Sequence, residues 1–369
     1  MVEWKKLEDC LDFEQPTPYL VKSTEYDDAY KTPVLTAGQS LLLGYTNEQD
    51  GIYRASKENP CIIFDDFTTS FHWINFDFKV KSSAMKMLRP KEGVNFRYVY
   101  YAMLGINFVP GGHQRHWISK YSQFEIPLPS LSEQERIVGI LDTFTSSIEN
   151  LKAQISLRRK QYEHYRDKLL DLEGKPGVEM KTLGEVCTIK NGYTPSTKNP
   201  AFWEDGNIPW FTLEDIRKNG RILTDAIKHI TPLGVKKAGL FPSNSIIIST
   251  TATIGEYALI QTDFLCNQQI SCISIKDDKR ISSKYLYYIA DHIGKWCKKN
   301  INGGGSLLIV SSSKLQHISI PLPSLQEQSR IVSILDEFEA SIKNLEAQLE
   351  AREKQYEYYR EKLLTFERE

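Results

Sequence analysis

The side chains of this chain that could do chemistry form few of the patterns that an active site needs. His113 and His116 form an HxxH pair, but no Glu stands at the spacing of a metalloprotease site. Asp65 and Asp66 are adjacent in the apolar segment CIIFDDF, without the nearby Glu-x-Lys that would complete a nuclease centre. A polar loop and a strand-end turn with satisfied carboxylates are the favoured interpretations of these two pairs.

The motifs of nucleotide and methyl-donor chemistry are also missing from the sequence. It contains neither the Asn/Asp-Pro-Pro-aromatic tetrapeptide of an adenine methyltransferase nor a GxxxxGK[ST] loop. Its most Gly-rich segment, residues 303–305 followed by Ser306, is compatible both with a close approach of the backbone to DNA and with a plain loop. We therefore predict a chain with no catalytic activity, metal site or cofactor of its own.

Side chains that suit contacts with DNA are abundant between residues 174 and 317. Hydroxyl groups and lysines favour phosphates, whereas amides and arginines can pair with base edges, and Asn and Gln suit adenine. Each of these residues alone is more often a solvated surface group, but together on one domain they favour phosphate binding. The candidates are Tyr193, Thr194, Ser196, Lys198, Arg217, Lys218, Lys236, Lys237, Thr250, Thr251, Thr253, Asn267, Gln268, Lys298, Lys299, Gly304 and Ser306.

The first 124 residues contain a second set of the same kind. A Thr-rich turn follows the segment CIIFDD, in a place comparable to the hydroxyl-rich turn at 192–198. The aromatic residues interleaved with these polar groups are equally compatible with reaching the groove of DNA and with packing a sheet. The candidates are Tyr45, Arg54, Thr68, Thr69, Ser70, His72, Lys86, Arg89, Arg115 and Lys120.

The net charge of −1 conceals an uneven distribution of charge. Residues 174–317 sum to +6, whereas 125–173 and 318–369 sum to −2 and −4. Residues 1–68 sum to −7 and residues 79–124 to +7. The surplus of basic residues in 79–124 and 174–317 is what contact with the phosphates of DNA would require. We expect the acidic first 68 residues to face away from the duplex.

Length and composition indicate an ordinary globular protein with two or three domains. A chain of 369 residues exceeds the usual size of one core, and 41% hydrophobic residues can build several. No apolar run reaches the roughly 18 residues of a membrane span, and the first residues lack signal-peptide character. The six cysteines are scattered without a CxxC pair, which favours reduced thiols. We expect a cytoplasmic protein with no membrane contact.

An internal duplication organises the chain. Residues 126–173 and 320–367 are identical at 32 of 48 positions, and VEWKKLEDC at 2–10 matches VEMKTLGEVC at 178–187. The stretches between these segments differ in sequence and in length. Each repeat therefore has a similar start, a divergent middle and a similar end.

Each repeated end is predicted to form one long helix. Apolar residues recur at alternating spacings of four and three, which specifies a coiled-coil seam. Proline pairs mark the start of each helix, Ser132 with Glu135 fits a capping box, and about 39 residues would extend roughly 58 Å. Arg158 and Arg352 interrupt the seam at equivalent places, either to fix the register or to extend their charge to solvent. The seam consists of Leu141, Phe144, Ile148, Leu151, Ile155, Arg158, Leu335, Phe338, Ile342, Leu345, Leu349 and Arg352.

These patterns predict an α+β fold. Strand-like runs such as NSIIIS, LIQTDF and SCISIK alternate with helical runs such as SSKYLYYIADHIGKWCKK, so each divergent middle is predicted to be a small α+β domain. The two long helices would bury their stripes against each other as an antiparallel coiled coil, with the two domains related by a pseudo-twofold axis. The predicted segments are domain 1 at 1–125, helix 1 at 126–173, domain 2 at 174–317 and helix 2 at 318–369.

Three motifs carry a family resemblance. They are the block IPLPSL-x-EQ-x-RIV-x-IL, present twice, the segment LGEVCTIKNGYTPSTKNPAFWEDGNIPWFTLEDI at 183–216, and NGGGS at 302–306. With these motifs the chain resembles the DNA specificity subunits of type I restriction–modification systems over essentially its full length. Domain 1 is less clearly similar, since it has PCIIFDDFTTSF at 60–71 and IPLPSL but no TPS element.

The resemblance implies a sequence-specific DNA-binding subunit that scaffolds enzymes and does not catalyse. The divergent domains would be target-recognition domains, each reading one half of an asymmetric, bipartite site in double-stranded DNA. The helices would form a spacer and dock two adenine methyltransferase subunits, which are expected to use S-adenosylmethionine. Restriction and translocase subunits could then add to that core.

Other classes of protein fit parts of the same sequence. A DNA-recognition scaffold of another restriction or phage-defence system, built on the same duplicated module, is the principal alternative. A purely structural coiled-coil protein would bind no DNA even with its partners present. A self-sufficient enzyme would need the donor and nucleotide loops that the sequence lacks.

Overall fold

The computed structural model describes residues 2–36, 38, 40–111, 114–301 and 309–367. The chain forms two compact units: unit 1 comprises Met1–Ala153 with Glu346–Glu369, and unit 2 comprises Gln154–Leu345. Each unit contains one globular domain with a part of each long helix. In the described part of the chain, no helix has the length and apolar character needed to cross a membrane.

Domain 1 in unit 1 contains two sheets and one packed helix. The elements are β1 (Glu3–Lys6), α1 (Leu7–Cys10), β2 (Leu11–Glu14), β3 (Thr32–Leu35), β4 (Leu42–Thr46), β5 (Cys61–Asp65), β6 (Phe71–Ile74), β7 (Lys79–Val80), β8 (Met85–Pro90), α2 (Phe96–Met103), β9 (Glu125–Leu128) and the first part of α3 (Leu131–Leu170). The strands β2, β8, β5 and β6 form an antiparallel sheet in that order, and β4, β3 and β7 form a second sheet in which β3 and β7 are parallel.

The central strand β5 of domain 1 is buried on both faces, which explains its unbroken apolar sequence from Cys61 to Phe64. Ile62 and Phe64 of β5 pack into the same core as helix α2. Ile63, between them, points to the other face and joins a second core with Met85 and Met87 of β8. Successive side chains of a strand point to opposite faces, so only a strand with two packed faces needs apolar residues at every position.

Domain 2 in unit 2 repeats this topology with one added strand. The elements are β10 (Glu179–Thr182), α4 (Leu183–Val186), β11 (Cys187–Asn191), β12 (Ile208–Phe211), α5 (Leu213–Asn219), β13 (Ile222–Leu223), β14 (His229–Ile230), β15 (Ser245–Ser249), β16 (Tyr257–Ile260), β17 (Leu265–Cys266), β18 (Ile270–Ile275), α6 (Ser283–Lys299), α7 (Ser312–Gln316), β19 (Ser319–Leu322) and α8 (Leu325–Leu364). The sheet order is β11-β18-β15-β16-β13, and a second sheet, β14-β12-β17, again has one antiparallel and one parallel pair.

The predicted α+β class is confirmed, and three of the four predicted runs have the expected structures. NSIIIS contains β15, SCISIK overlaps β18, and the run beginning SSKYLYY contains α6. The prediction for LIQTDF is wrong beyond its first two residues, because only Leu259 and Ile260 lie in a strand, β16. The two divergent middles therefore share one topology despite their different sequences and lengths.

The repeated start and end of each unit are hydrogen-bonded to each other. In unit 1, β1 pairs antiparallel with β9, with Glu3 opposite Leu128. In unit 2, β10 pairs antiparallel with β19, with Glu179 opposite Leu322. The similar start and the similar end of each repeat are thus the two strands through which the chain enters and leaves each domain.

The long helices begin at a different residue from the one that the sequence suggested. Both α3 and α8 contain 40 residues. The Ser130 hydroxyl accepts from the backbone N–H of Glu133 at 3.4 Å, and the Ser130 carbonyl accepts from Gln134 at 2.9 Å. The predicted capping box of Ser132 with Glu135 is therefore wrong, because Ser132 lies inside the helix. In the same first turns of the helix, Glu133 forms an ion pair with Arg136.

A buried glutamine in the first turns of each long helix joins it to the domain. Gln134 donates to the carbonyl of Pro129 at 2.7 Å, and its amide oxygen accepts from the backbone of Asn95, the residue before α2, at 2.9 Å. Gln328 makes the equivalent bonds to Pro323 and Ser282, each at 2.9 Å. Buried polar groups are costly unless they are hydrogen-bonded, so these contacts specify where each domain sits on its own helix.

The helices run antiparallel in both units and make the same aromatic contacts. In unit 1, Phe144 stacks on Tyr359 with ring centroids 5.3 Å apart, and the Arg352 guanidinium lies 5.6 Å from the Phe144 centroid. In unit 2, the equivalent residues are Phe338, Tyr165 and Arg158, with corresponding distances of 5.4 and 5.8 Å. Both arginines therefore lie over a ring of the opposite helix.

The predicted seam divides between two environments. Leu141 and Leu335 are fully buried in the cores of domains 1 and 2, so they attach the helices to the domains. Ile148 and Ile155 are buried as well. The half-buried members of the seam are Phe144, Leu151, Arg158, Phe338, Ile342, Leu345, Leu349 and Arg352.

Candidate nucleic-acid interface

One further repeated contact holds each domain on its long helix, and the sequence analysis missed it. Tyr98 of α2 donates from its hydroxyl to the carbonyl of Pro127 at 2.8 Å, and Tyr285 of α6 donates to that of Pro321 at 3.0 Å. Burial raises the pKa of both phenols, which keeps them neutral donors. The signal that could have revealed this contact is the pattern Arg/Lys-Tyr-x-Tyr-Tyr, which occurs at 97–101 and 284–288.

The same pattern contributes an acid–base contact with the long helix. In unit 1, Tyr101 donates to the Asp142 carboxylate at 2.5 Å, and the Arg97 guanidinium lies 2.8 Å from the same oxygen. In unit 2, the equivalent residues are Tyr288, Lys284 and Asp336, at the same two distances. The frame, by which we mean the long helices with these docking contacts, is thus the same in both units.

In unit 2, a strap formed by residues 192–194 crosses the end of β17. The Gly192 N–H donates to the carbonyl of Ile270 at 2.9 Å, and the Tyr193 N–H donates to that of Cys266 at 2.8 Å. A Cβ on Gly192 would lie 2.2 Å from the Cys266 oxygen, so only glycine fits there. The strap is therefore fixed against the turn that follows β17.

The side chains of the strap bind the neighbouring loops. The Thr194 hydroxyl donates to Oε1 of Gln268. The Tyr193 hydroxyl accepts from the Lys236 backbone at 2.8 Å and donates to the Gly234 carbonyl at 3.2 Å. The Lys236 ammonium lies 4.3 Å from the Tyr193 ring centroid. The structure thus brings together Tyr193, Thr194, Lys236 and Gln268, which the sequence analysis named separately.

The three amides after β17 have different roles. Oδ1 of Asn267 accepts from the backbone of Gln269 at 3.0 Å, which closes the turn. Asn267 and Gln269 are half-buried, whereas Gln268 is exposed. Of the residues that this turn offers to a base, Gln268 is the one whose amide lies at the surface.

Two tryptophans hydrogen-bond to the backbone of the strap and of the residues that follow it. Trp210 donates from its indole nitrogen to the Tyr193 carbonyl at 3.0 Å, and Trp203 donates to the Ser196 carbonyl at 3.1 Å. Their rings meet edge to face with centroids 5.0 Å apart. They also line an open cavity of about 600 Å³ together with Lys228 and His229. The polar surface of the strap is therefore built on a rigid aromatic base.

The hydroxyl-rich segment after β15 is less accessible to DNA than the sequence predicted. Thr250 is only 3% exposed and donates to the Gln269 carbonyl at 3.3 Å, so its prediction as a DNA contact is corrected. Thr253 is exposed and accepts from Arg217 at 2.9 Å. Arg217 is already 3.0 Å from Glu256, and Lys218 is 2.6 Å from Glu214.

The remaining candidates of domain 2 lie on the surface or outside the described residues. Thr251 is half-buried. The exposed candidates are Ser196, Lys198, Lys237, Lys298 and Lys299. Gly304 and Ser306, with the rest of 302–308, lie outside the described residues, as does His113.

In unit 1, part of the basic surplus is internal. Lys86 is 1% exposed and forms an ion pair with Asp66 at 2.9 Å, so its predicted role as a DNA contact is corrected. Lys79 is also 1% exposed and pairs with Glu48 at 3.0 Å. The acidic stretch 1–68 and the basic stretch 79–124 are thus partly complementary inside the domain. Net charge along the sequence does not reveal this pairing, because it depends on which strands become neighbours.

The acidic pair at the end of β5 has the structural role that the turn interpretation predicts. Oδ1 of Asp65 accepts from the backbone N–H groups of Phe67 and Thr68 at 2.9 and 2.7 Å. Asp66 accepts from Trp117 at 2.9 Å. Thr69 is 8% exposed with a positive φ of 57°, so this candidate is also corrected to a turn residue.

The other candidates of domain 1 remain at or near the surface. Arg89 donates to the Tyr53 hydroxyl at 2.7 Å, and His72 lies 3.0 Å from the carbonyl of Gly38. Arg54 forms an ion pair with Asp77. The half-buried candidates are Tyr45, Ser70, His72 and Arg89, and the exposed ones are Arg54, Thr68, Arg115 and Lys120.

No metal-binding constellation exists among the described residues. No group of three or more His, Cys, Asp or Glu side chains that could hold a metal ion occurs in this part of the chain. His116 is fully buried, with no hydrogen-bond partner for either ring nitrogen within the described ranges, and its ring meets Phe108 edge to face at 5.4 Å.

Two domains of one topology, each held on the same helical frame by the same contacts, define a duplicated helix-mounted α+β protein. The sequence of residues 1–158 and 176–352 matches the family described as the type I restriction modification DNA specificity domain. The chain belongs to this family.

Relatives and solved structures agree with this assignment. The chain is 43% identical to the type I restriction enzyme EcoR124I/EcoR124II specificity subunit of Escherichia coli, over 99% of this chain and 94% of that protein. It is 29% identical to a putative type I specificity subunit of Haemophilus influenzae, over 99% and 96% of the two chains. The S subunit of a type I restriction–modification system from M. genitalium superposes with a TM-score of 0.65 at 16% identity, covering 100% of this chain and 97% of that one. At that identity the likeness shows the fold.

Proposed function

We propose that this chain reads an asymmetric, bipartite site in double-stranded DNA, one half with each domain. On this proposal the chain works in the cytoplasm as the non-catalytic specificity subunit of a type I restriction–modification complex. It carries no cofactor, and its partner methyltransferase subunits use S-adenosylmethionine. The observation that carries the proposal is the contrast between a repeated frame and two domains of dissimilar surface.

The differences between the domains support two different half-sites. Domain 2 presents a strap, an exposed amide and an ordered lysine around the end of β17. Domain 1 has the topologically equivalent strand β7, but there Lys79 is buried against Glu48. Two domains with one backbone topology and different polar surfaces would approach DNA similarly and read different bases.

Equivalent exposed apolar residues on the frame support the docking of two identical partners. Leu131 in unit 1 is 50% exposed and its counterpart Leu325 in unit 2 is 40% exposed. Tyr359 and Tyr165 are likewise 40% and 44% exposed. In unit 2, Tyr165 lines an open groove of about 580 Å³ whose rim carries charged residues, namely Lys168, Lys175, Glu327 and Arg330. Apolar surface with a polar rim is typical of protein-binding sites. We assign these surfaces to two methyltransferase subunits, to which restriction and translocase subunits would add.

The test is co-expression of the full chain with the adenine methyltransferase subunit of its own system, followed by co-purification and methylome sequencing of the host. We expect two methyltransferase subunits per chain and methylated adenines in a motif of two half-sites separated by a fixed gap. The matched pair of variants replaces residues 11–90 or 187–275 by the corresponding segment of another specificity subunit. Each replacement should change one half-site and leave the other unchanged. A motif without two parts, or one that neither replacement changes, would refute the proposal.

A further inference from the structure

We propose that Gln268 determines specificity in domain 2 by donating from its amide to an acceptor on a base edge in the major groove, and that Thr194 is the residue that positions this amide. The inference rests on the proposed function and names which group of domain 2 reads a base. It further assigns the base: guanine, through its N7 and O6 atoms.

The position of Gln268 singles it out among the polar residues of domain 2. Its neighbours Asn267 and Gln269 hold the turn together through the bond from the Gln269 N–H to the Asn267 side chain. Arg217 and Lys218 are already paired with Glu256 and Glu214. Gln268 is exposed on a turn whose backbone is fixed to β12, since the Asn267 N–H donates to the Phe211 carbonyl at 3.1 Å. An exposed amide on a rigid support is what direct readout of a base requires.

The contact with Thr194 decides which end of the amide is offered to DNA. A glutamine side chain has one oxygen acceptor and one NH2 group with two donors. The Thr194 hydroxyl donates to Oε1, which uses one of the two lone pairs of that oxygen and turns it toward Thr194, whereas the NH2 group keeps both donors for a ligand. Thr194 cannot move away easily, because the Gly192 backbone packs against the carbonyls of Cys266 and Asn267.

This orientation favours guanine over adenine. In the major groove guanine presents two acceptors, N7 and O6, whereas adenine presents one acceptor and one donor. Two-point recognition of adenine by glutamine uses both the amide oxygen and the NH2 group. With Oε1 held toward Thr194, Gln268 presents its two N–H donors and is better matched to the edge that offers acceptors alone. The sequence alone suggests adenine for the amides of this segment, and the Thr194 contact changes that expectation.

Lys236 provides the neighbouring phosphate contact. Its ammonium is held over the Tyr193 ring, and its backbone N–H donates to the hydroxyl of the same tyrosine. Tyr193 directly precedes Thr194, so the cation and the amide are fixed to one strap. A phosphate contact fixes the register of a protein on DNA without reading sequence. The expected roles are therefore different: Lys236 sets position and Gln268 sets base identity.

The experiment uses the full chain in complex with its methyltransferase subunits and reads the motif by methylome sequencing. For Gln268→Ala, discrimination at one position of the second half-site should fall by roughly 5- to 150-fold, the range that corresponds to about 1–3 kcal/mol for a good base contact. Gln268→Glu replaces donors by acceptors and should move the preference toward cytosine, whose N4 is a donor. The first half-site, read by domain 1, should stay unchanged in both variants.

Thr194 is tested separately as a positioning residue. Thr194→Val keeps the shape and removes the hydroxyl, which frees Oε1, so adenine should become acceptable at the same position. Thr194→Ser retains the hydroxyl and should restore the guanine preference. Thr197→Val, an exposed threonine of the same loop, is the matched control and should leave the motif unchanged.

Each outcome decides the inference. A wild-type second half-site without guanine, a Gln268→Ala variant with undiminished discrimination, or a Thr194→Val variant that still rejects adenine would overturn it. Where a variant complex does not methylate, binding to duplexes that differ at the one position replaces the methylome as the measurement. Failure of the proposed function is distinct, since the wild-type complex would then show no bipartite motif at all.

Discussion

Units 1 and 2 repeat the same frame, but their domains meet it with different chemistry. Glu339 in unit 2 accepts from Tyr162 at 3.0 Å and from Tyr287 at 3.3 Å, whereas the equivalent position in unit 1 is Thr145. Asp291 of α6 lies 3.2 Å from Arg166 of the long helix in unit 2, whereas the residue that follows α2 at the same place in unit 1 is Leu104. Besides the contacts that both units share, domain 2 is thus attached through two half-buried acids, where domain 1 has a threonine and a leucine.

The comparison shows that the frame is shared but that each domain is fitted to its own helix. A near-identical helix sequence would serve two interchangeable domains if the whole interface were repeated. In both contacts only one of the two partners differs between the units. Glu339 has Thr145 as its counterpart, but the tyrosine that it contacts, Tyr287, corresponds to another tyrosine, Tyr100. Asp291 has Leu104 as its counterpart, but Arg166 corresponds to another arginine, Arg360. A single changed residue on either side is thus enough to change how a domain is attached.

The largest expected difference between the units is in the stability lost when a buried polar residue of the main sheet is substituted. Lys86 in β8 pairs with Asp66 and also donates to Gln15 at 3.1 Å, whereas its counterpart in β18, Ser271, donates to Asn191 at 2.8 Å. Lys86→Met leaves the Asp66 carboxylate buried without its cation, and unit 1 should lose about 3–5 kcal/mol of stability. Ser271→Ala removes the neutral hydrogen bond to Asn191, whose Oδ1 still accepts from Ser312 at 2.7 Å, so the substitution should cost unit 2 only about 0.5–1.5 kcal/mol.

Hydrogen exchange resolved by peptide measures this difference, because it reports each unit separately. Lys86→Met should increase exchange in domain 1 far more than Ser271→Ala does in domain 2. Equal effects of the two substitutions would show that the buried ion pair contributes no more than a hydroxyl. The double variant Lys86→Met with Asp66→Asn is the control, and it should recover part of the loss.

A smaller effect is expected from the buried glutamines. Gln134→Leu and Gln328→Leu each leave a backbone N–H and a carbonyl without their side-chain partner at the start of a long helix. Gln328 donates to one further carbonyl, that of Arg280, at 2.8 Å. Each substitution should destabilise its own unit by about 1–3 kcal/mol per unsatisfied group. The loss in unit 2 should therefore equal or exceed that in unit 1, as measured by the shift of the thermal unfolding transition. A loss confined to one unit would contradict the equivalence of the frame.

The smallest effect is the contribution of Glu339 to the pH dependence of the stability of unit 2. Burial raises the pKa of Glu339 above its ordinary value of 4.5. Between 4.5 and the raised pKa the folded chain binds more protons than the unfolded chain, so the stability of unit 2 falls as pH rises through that window and is flat above it. Glu339→Gln should remove this slope, as measured by hydrogen exchange between pH about 4 and 8. The slope of unit 1, with Thr145 at this position, should not change.

The duplication made the frame predictable, whereas the polar surfaces depended on tertiary contacts. The heptad spacing and the repeated IPLPSL block predicted both long helices, and apolar runs predicted β15 and β18. The Tyr98 and Tyr285 contacts were missed because the helices that carry them differ in length, which hides their equivalence in a linear comparison. Lys86 was misassigned because a lysine in a basic stretch looks exposed until the strand that supplies Asp66 is known. Gln268 was named, but its orientation depends on Thr194, 74 residues away.

The pairing of β1 with β9 and of β10 with β19 has a consequence for how long a domain can be. Paired antiparallel strands hold the two ends of each domain about 5 Å apart, whatever lies between them. The strand pairing therefore brings the two ends of the domain together. Doubling the number of residues between the paired strands raises the free-energy cost of loop closure by only about 0.6 kcal/mol. A domain can therefore gain strands, as domain 2 has gained β13, while the junction with the helices keeps the same geometry.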